Sequence, residues 1–129
     1  MAREKELETE IFASDISPVS LNVATKNLTS AGFKHQISPR EVAFQKTSPP
    51  RENGHMLINP PYDQRLLQKD IKGFYKEIGD MLKQQYKGRT AWIISSNMEA
   101  MKHIGLKPSK RFQLFNGPLQ CKFQGYEMY

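Results

Sequence analysis

The sequence has 129 residues, a single cysteine and a formal net charge of +6, with a sequence pI of about 9.5. This length predicts one domain. The single cysteine, Cys121, excludes an internal disulfide and fits a reducing cytosol, where we expect a buried thiol. No apolar run approaches the roughly 20 residues that a membrane-spanning helix needs, and the three histidines show no metal-ligand spacing. The excess of basic over acidic residues favours a polyanionic partner such as nucleic acid, although a solvated basic surface also accounts for this excess.

The first part of the chain predicts a strand, a turn and a helix. Residues 1–10 are charged, without the apolar stretch of a secretory signal, and we expect a solvated tail. The apolar run of residues 11–14 predicts a strand that ends at Asp15. Ser17-Pro18 is typical of a helix start and Gly32 of a helix end, so a helix is predicted between them.

The middle of the chain predicts two more strands and the longest helix. Residues 41–46 are predicted as a short strand, residues 47–53 as a polar loop and residues 54–59 as a buried strand. After a turn over residues 63–65, an apolar stripe with helical spacing predicts a helix over about residues 68–86. We expect this stripe in the core: Leu67, Ile71, Phe74, Ile78, Met81, Leu82 and Tyr86.

The last part predicts a strand, a short helix and a hairpin. Residues 90–95 are rich in strand-forming residues, and Asn97 is predicted to cap a helix over residues 98–104. Alternating runs on both sides of Asn116-Gly117 predict an antiparallel β-hairpin. Because Pro118 follows directly, we expect a longer or bulged connection. Strands that alternate with helices before a closing hairpin predict an α/β fold.

The stretch with the clearest chemistry is Asn59-Pro60-Pro61-Tyr62. Neither proline can donate to a sheet ladder, so the asparagine is expected in a stiff turn at the carboxyl end of a strand, where open α/β sheets bind ligands. The Asn59 side-chain oxygen and the Pro60 carbonyl are two acceptors that can hold an exocyclic amino group and aim its nitrogen at an electrophile. Tyr62 offers a flat face for a base. The alternative is a turn whose asparagine bonds only its own backbone.

Asp15, at the tip of the first predicted strand, has two interpretations. A carboxylate at the end of a strand that neighbours the first strand of a doubly wound sheet can accept both ribose hydroxyls of a nucleotide-like cofactor. Alternatively, Asp15 caps the following helix together with Ser17. The spacing alone does not separate these two interpretations.

Three segments together resemble class I S-adenosylmethionine-dependent methyltransferases. Ile11-Phe12-Ala13-Ser14-Asp15-Ile16-Ser17 is similar to the family's second-strand motif, and Asn59-Pro60-Pro61-Tyr62 to its catalytic motif IV. Phe115-Asn116-Gly117-Pro118-Leu119-Gln120-Cys121 is similar to the closing hairpin of one branch, the THUMP-associated RNA methylases. That branch includes the bacterial 23S rRNA guanine-N2 methyltransferases, and some members are named N6-adenine-specific DNA methylases because they share the Asn-Pro-Pro-Tyr motif.

The resemblance implies a Rossmann-like, mostly parallel sheet with a C-terminal antiparallel hairpin, and S-adenosyl-L-methionine as the cofactor. It implies that Asp15, with Ile16 beside it, belongs to the cofactor site and binds the ribose hydroxyls. It also implies that Asn59-Pro60-Pro61-Tyr62 is catalytic: the asparagine and the first proline carbonyl hold the amino group, and the tyrosine stacks on a flipped-out base. No metal is implied, and RNA, ribosomal RNA in particular, is the implied partner.

The chain also departs from the family pattern. The family's glycine-rich motif I, on the first strand, cradles the methionine part of the cofactor, and neither it nor the RNA-binding THUMP domain is found in this sequence. Residues 44–47 carry no acid where members often have one, and of the Gly-Glu-Arg that commonly follows motif IV only Arg65 matches. We therefore expect the C-terminal part of a longer methyltransferase. Its strands at Asp15 and Asn59 would lack the first strand between them, and rearrangement, another chain or residues 1–10 would fill the gap.

Two functions are predicted. The first is the catalytic part of a cytoplasmic RNA methyltransferase that modifies guanine N2 of 23S rRNA, with adenine N6 of DNA or RNA as the rival target. The second is a nucleic-acid-binding or inert module without catalysis. The chain by itself is expected to be inactive, because the cofactor loop of motif I is missing.

Overall fold

A computed structural model describes residues 11–33, 35–47, 49, 54–60 and 71–129. The helices and strands in these ranges are β1 (Ser14–Asp15), α1 (Pro18–Ala31), β2 (Arg40–Glu41), β3 (His55–Ile58), α2 (Ile71–Gln85), β4 (Thr90–Ser95), α3 (Met98–Met101), β5 (Lys110–Asn116) and β6 (Leu119–Glu127), with a 3-10 turn at Phe44–Lys46.

The chain divides into two compact units, Met1–Thr47 and Ser48–Tyr129, and each is described by itself. The first unit contains β1, α1, β2 and the 3-10 turn, and the second contains the other elements. The organisation as one domain stays a prediction.

Helix α1 begins and ends where the sequence predicts. The Ser17 hydroxyl oxygen accepts a hydrogen bond from the Ser20 N–H at 3.2 Å, and Pro18 is the first helical residue. Gly32 follows the helix with φ at 86°, a left-handed conformation that glycine adopts without steric cost. No residue of α1 is fully buried.

The strands of the first unit are shorter than predicted. β1 pairs in parallel with β2 over two residue pairs, Ser14 with Arg40 and Asp15 with Glu41. The single strand predicted over residues 41–46 is wrong, because only Glu41 is in a strand and a 3-10 turn follows. The Thr47 hydroxyl and the Thr47 N–H both donate to the Phe44 carbonyl, and these local bonds take the place of a sheet ladder.

The second unit is built on a four-stranded sheet in the order β3-β4-β6-β5. β3 and β4 are parallel, with Met56 opposite Ala91, and β6 is antiparallel to both of its neighbours. β4 has the predicted bounds, and α3 ends three residues earlier than predicted. The predicted burial of the strand at residues 54–59 is wrong: β3 has no buried residue and Leu57 is 72% exposed, because β3 is an edge strand of this sheet as the structure describes it. The predicted α/β pattern with a closing antiparallel hairpin is therefore present.

The hairpin is tighter than predicted. Asn116 pairs with Leu119, so only Gly117 and Pro118 connect the strands, and the longer or bulged connection is wrong. Gly117 has φ at 62°, and the proline ring fixes the next φ near about −65°. A positive then a negative φ fits a two-residue type II′ turn, which has glycine first and matches the twist of the strands.

The core of the second unit lies between α2, α3 and one face of the sheet. The described members of the predicted α2 stripe are buried, except Phe74, which is half-buried, and Leu67, which lies outside the described residues. Tyr75 is also buried; it lies four residues after Ile71 and three before Ile78, so it fits the helical stripe although the sequence analysis left it out. Cys121 is buried, as predicted. The buried apolar side chains are Ile71, Tyr75, Ile78, Met81, Leu82, Tyr86, Ala91, Ile93, Ala100, Met101, Ile104, Cys121, Tyr126 and Met128.

The opposite face of the sheet carries an aromatic cluster. Trp92 alternates with the buried Ala91 and Ile93 on β4, so it points away from the helices. Its ring stacks on Phe123 with centroids 5.2 Å apart and lies 6.4 Å from Phe112. These contacts fix both hairpin strands to β4.

Candidate functional site

The Asn59 motif lies where β3 leaves the sheet. β3 ends at Ile58, and the next two residues follow its carboxyl end. Asn59 is exposed and Pro60 is buried, so the turn is anchored by its proline while the asparagine lies at the surface. Pro61 and Tyr62 lie outside the described residues. The predicted position of Asn59 and the Pro60 carbonyl at a strand end is therefore present.

Buried hydrogen bonds fix the carboxyl end of the neighbouring strand, β4. The hydroxyls of Tyr75 and Ser95 share a buried hydrogen bond of 2.7 Å, and the Ser95 hydroxyl oxygen also accepts from the Asn97 N–H at 3.0 Å. The Asn97 side-chain oxygen accepts from the Ala100 N–H at 2.9 Å, which is the predicted cap of α3. The strand beside the Asn59 turn is thus held rigidly to two helices, and sequence reasoning did not find this support.

Asp15 makes the contact that the capping interpretation predicts. One oxygen of its carboxylate accepts a hydrogen bond from the Ser17 N–H at 2.8 Å. Asp15 and Ile16 are both exposed, at and after the end of β1. A carboxylate has several acceptor positions, so this contact leaves acceptor capacity for a ligand. Asp15 and Ile16 belong to the first unit, and Asn59 and Pro60 to the second.

The clearest electrostatic perturbation in the second unit is at Tyr126. Burial raises the pKa of Tyr126 to about 12, and the nearby charge of Arg111 opposes this increase. The Tyr126 hydroxyl donates to the side-chain oxygen of Gln124 at 2.7 Å. At the surface, the hydrogen bond and charge of Lys102 lower the pKa of Glu99.

A metal site and a membrane-spanning helix both find no support in the part of the chain that the structure describes. Within the described ranges, no group of histidine, cysteine or acidic side chains is placed to hold a metal ion. Among the described helices, none has the length and apolar character needed to cross a membrane.

Comparison with known proteins gives consistent matches over more than nine-tenths of the chain. A family model described as an RMKL-like methyltransferase domain matches residues 1–124. A Synechocystis protein whose name designates it a candidate RNA methyltransferase is 36% identical over 124 residues, which cover 95% of this chain and 32% of that protein. The ribosomal RNA large subunit methyltransferase K/L of Shewanella baltica is 29% identical over 126 residues, which cover 97% of this chain and 18% of that protein. The chain thus spans a third or less of these relatives.

Solved structures share the fold. A possible methylase from Clostridium difficile 630 has a TM-score of 0.82 and 30% identity, over 93% of this chain and 32% of that one. A candidate methyltransferase solved in complex with SAH also has a TM-score of 0.82, with 24% identity, over 92% of this chain and 32% of that one. The predicted α/β methyltransferase fold is confirmed. By the family model and these relatives, this chain belongs to the RMKL-like methyltransferase domain family.

Proposed function

We propose that this chain is the catalytic part of an enzyme that transfers a methyl group from S-adenosylmethionine to an exocyclic amino group of an RNA base, specifically guanine N2 of 23S rRNA. The observation that carries the proposal is the surface position of Asn59 at the end of β3, anchored by the buried Pro60, in a member of a methyltransferase family. The name of the Shewanella relative supports a ribosomal substrate, and such a substrate would place the reaction in the cytoplasm.

The proposed roles follow from hydrogen-bond chemistry. The Asn59 side-chain oxygen and the Pro60 carbonyl accept the two hydrogens of the amino group, which directs the nitrogen lone pair outwards. In the proposal, Pro61 stiffens the turn and Tyr62 stacks on the base. S-adenosylmethionine, when bound, supplies an activated methyl group on a sulfonium. Positioning of the nucleophile is then the main task left to the protein, and no metal is needed for it.

In the proposal, residues of the first unit bind the cofactor. The exposed Asp15 carboxylate retains acceptor capacity for two ribose hydroxyls, with Ile16 beside it. Because the family model spans residues 1–124, we propose that both units belong to one methyltransferase domain. We further propose that a longer protein, of the length of the relatives, completes the cofactor site and that ribosomal RNA is its partner.

The substitution Asn59→Ala tests the catalytic assignment in the protein that contains this chain. We expect methyl transfer to RNA to fall about 100-fold or more, because misplacement of a reacting group has effects of this size. Cofactor affinity should stay within about twofold, since Asn59 is assigned to the base and not to the cofactor. Asn27→Ala on the exposed surface of α1 is the matched control. Turnover of Asn59→Ala within a fewfold of the unaltered protein would show that the motif assignment is wrong.

The substitution Asp15→Asn separates the two interpretations of Asp15. The amide oxygen can still accept from the Ser17 N–H, so the helix cap and the stability should be preserved. Loss of the charged acceptor should weaken cofactor binding by about 10-fold to 150-fold, the range for hydrogen bonds to charged groups. Calorimetric titration with S-adenosylmethionine measures this change. An unchanged affinity would leave Asp15 with the capping role alone.

A second candidate function is nucleic-acid binding without catalysis, and the net charge of +6 favours it. Methyl transfer by the unaltered protein in the Asn59 experiment would exclude it. The same assay identifies the target, because nucleoside analysis of the methylated RNA distinguishes N2-methylguanosine from N6-methyladenosine.

A further inference from the structure

We propose that one face of the β5–β6 hairpin binds the single-stranded RNA that flanks the target base. This surface, the hairpin face, is formed by five side chains: Arg111, Gln113, Phe115, Gln120 and Lys122. The inference deepens the proposed function and rests on it, because it names the surface that engages the RNA substrate.

The strand register places these side chains on the same face. Gln113 is opposite Lys122 and Phe115 is opposite Gln120. Directly paired residues of an antiparallel ladder point to the same side, and so does every second residue along each strand. All of β5 is exposed, as is Gln120 on β6, and Lys122 is half-buried. The hairpin face is therefore a continuous surface of two cations, two amides and one aromatic ring.

The charge of this region favours a polyanion. Residues 102–126 contain five Lys and Arg residues and no acidic residue, whereas the other 14 basic residues are nearly matched by the 13 acidic residues of the chain. Over the described part of the chain, Arg111 and Lys122 form no ion pair with an acidic side chain. The net positive charge is thus concentrated here, and although Lys102 is paired with Glu99, Arg111 and Lys122 are available to phosphates.

The exposed aromatic ring favours a nucleic acid over an acidic polypeptide. Phe115 lies near the hairpin turn with 67% of its surface exposed. On the other face of the same strand, Phe112 packs near Trp92, so the hairpin is held in place while Phe115 stays in solvent. An exposed ring beside cations is the combination that binds single strands, since bases stack on the ring and phosphates contact the cations. The amides of Gln113 and Gln120 can bond base edges.

The hairpin face extends towards the same end of the sheet as Asn59, the end at which β3 finishes. Ile58 is opposite Ile93, Ile93 is opposite Gln124, and Gln124 is opposite Arg111. Asn59 lies one residue beyond this row, and β5 continues in the same direction for five residues. With strands about 4.8 Å apart and about 3.4 Å per residue, β5 passes roughly 14 Å to the side of β3 and extends about 17 Å past the row. RNA with a base at Asn59 can therefore reach the hairpin within a few nucleotides.

Fluorescence anisotropy with a labelled single-stranded oligoribonucleotide of mixed sequence, titrated at several salt concentrations, tests the inference on this chain. The double substitution Arg111→Gln/Lys122→Gln should weaken binding and reduce the slope of log affinity against log salt by about 1.4, at about 0.7 for each lost phosphate contact. Phe115→Ala should weaken binding about 5-fold to 150-fold and leave that slope unchanged, because stacking releases no counterions.

Matched controls distinguish an effect specific to the hairpin face from the effect of losing any two charges or any exposed aromatic ring. Lys83→Gln/Lys87→Gln removes the same charge from two exposed lysines. They lie at the end of α2 and in the turn before β4, at the end of the sheet where β4 begins. Tyr129→Ala removes an aromatic side chain that is 95% exposed but distant from the hairpin turn. Both should bind RNA as the unaltered chain does, and circular dichroism should show that every variant is folded.

Several results would overturn the inference. They are no RNA binding by the unaltered chain, equal weakening by the Lys83/Lys87 control, or no effect of Phe115→Ala. Displacement of the RNA from the unaltered chain by poly-L-glutamate as effectively as by unlabelled RNA would identify an acidic polypeptide as the partner instead. Asn59→Ala should bind the oligonucleotide normally. If Asn59→Ala retains methyl transfer in the protein that contains this chain, the proposed function fails while the binding result stands. If Asn59→Ala loses methyl transfer but the hairpin variants bind RNA as the unaltered chain does, the further inference alone fails.

Discussion

Tyr126 lies at 1% exposure on β6, and its hydroxyl donates to the side-chain oxygen of Gln124. Burial raises its pKa from 10.0 to about 12, so ionisation is easier in the unfolded chain than in the folded one. Its contribution to stability is therefore fully present below about pH 10 and is lost as the pH rises from about 10 to about 12. The residue is thus expected to make the fold sensitive to alkali.

Tyr126→Phe tests this prediction by urea unfolding at a series of pH values. The variant should be less stable near neutral pH by about 1–3 kcal/mol, because the Gln124 side-chain oxygen loses its donor. Above about pH 10 its stability should fall less steeply than that of the unaltered chain. Tyr129→Phe, at the exposed end of the chain, is the control and should keep most of the alkaline slope. An equally steep slope in Tyr126→Phe would contradict the assignment.

At single positions, the sequence predicted which residues matter better than what they contact. Asn59 could be placed at a strand end because two prolines must stop a ladder there. Asp15 could not be assigned, because a carboxylate two residues before an N–H serves a cap and a ribose equally well, and only the capping contact is visible in the structure. Ser95 and Tyr75 escaped notice because a buried hydroxyl pair joins residues far apart in sequence.

Between elements, α2 and the segment after α3 are in close contact at Gly79. A Cβ atom at this position would collide with the backbone carbonyl of Ile104, whereas one at Gly73 of the same helix would meet no atom within 4 Å among the described residues. The two glycines of α2 therefore have different structural roles. Gly79 permits helix packing, and Gly73 only weakens the helix.

The pair Gly79→Ala and Gly73→Ala makes this difference measurable by thermal or urea unfolding. Gly79→Ala should destabilise the protein by about 1–3 kcal/mol, because backbone must move to make room. Gly73→Ala should stabilise it by about 0.5–1 kcal/mol, since alanine loses less conformational entropy in a helix. Each substitution is the control for the other. Similar effects at both positions would mean that α2 and the segment after α3 pack less tightly than the structure shows.

Element bounds were predictable where one local signal dominates. The Ser17-Pro18 start and the Gly32 end of α1 depend on nearby hydrogen bonds and on φ, so they could be found from sequence. Residues 41–46 look like a strand by composition but form local turns. The hairpin was found, but its turn is one residue later than Asn-Gly suggests, because Gly117 supplies the positive φ and Pro118 the negative one.

For the whole molecule, the family resemblance predicted the fold class, while strand order did not follow from periodicity. Periodicity shows which face of a strand is buried. It does not show which strand is the neighbour, since partners such as β3 and β4 are separated by a helix. The two compact units and the place of β6 between β4 and β5 are therefore information that only the structure supplied.

The position of β6 also determines when the strands of the sheet can pair during translation. β4 and β5 leave the ribosome before β6, and each needs β6 as its partner, so a nascent chain carries two strands with unpaired edges until residues 119–127 emerge. Unpaired strand edges are sites of association with other chains. Because the last strand takes an inner position in the sheet of the second unit, a translational pause before β6 would prolong the interval in which these edges are unpaired and open to association with other chains.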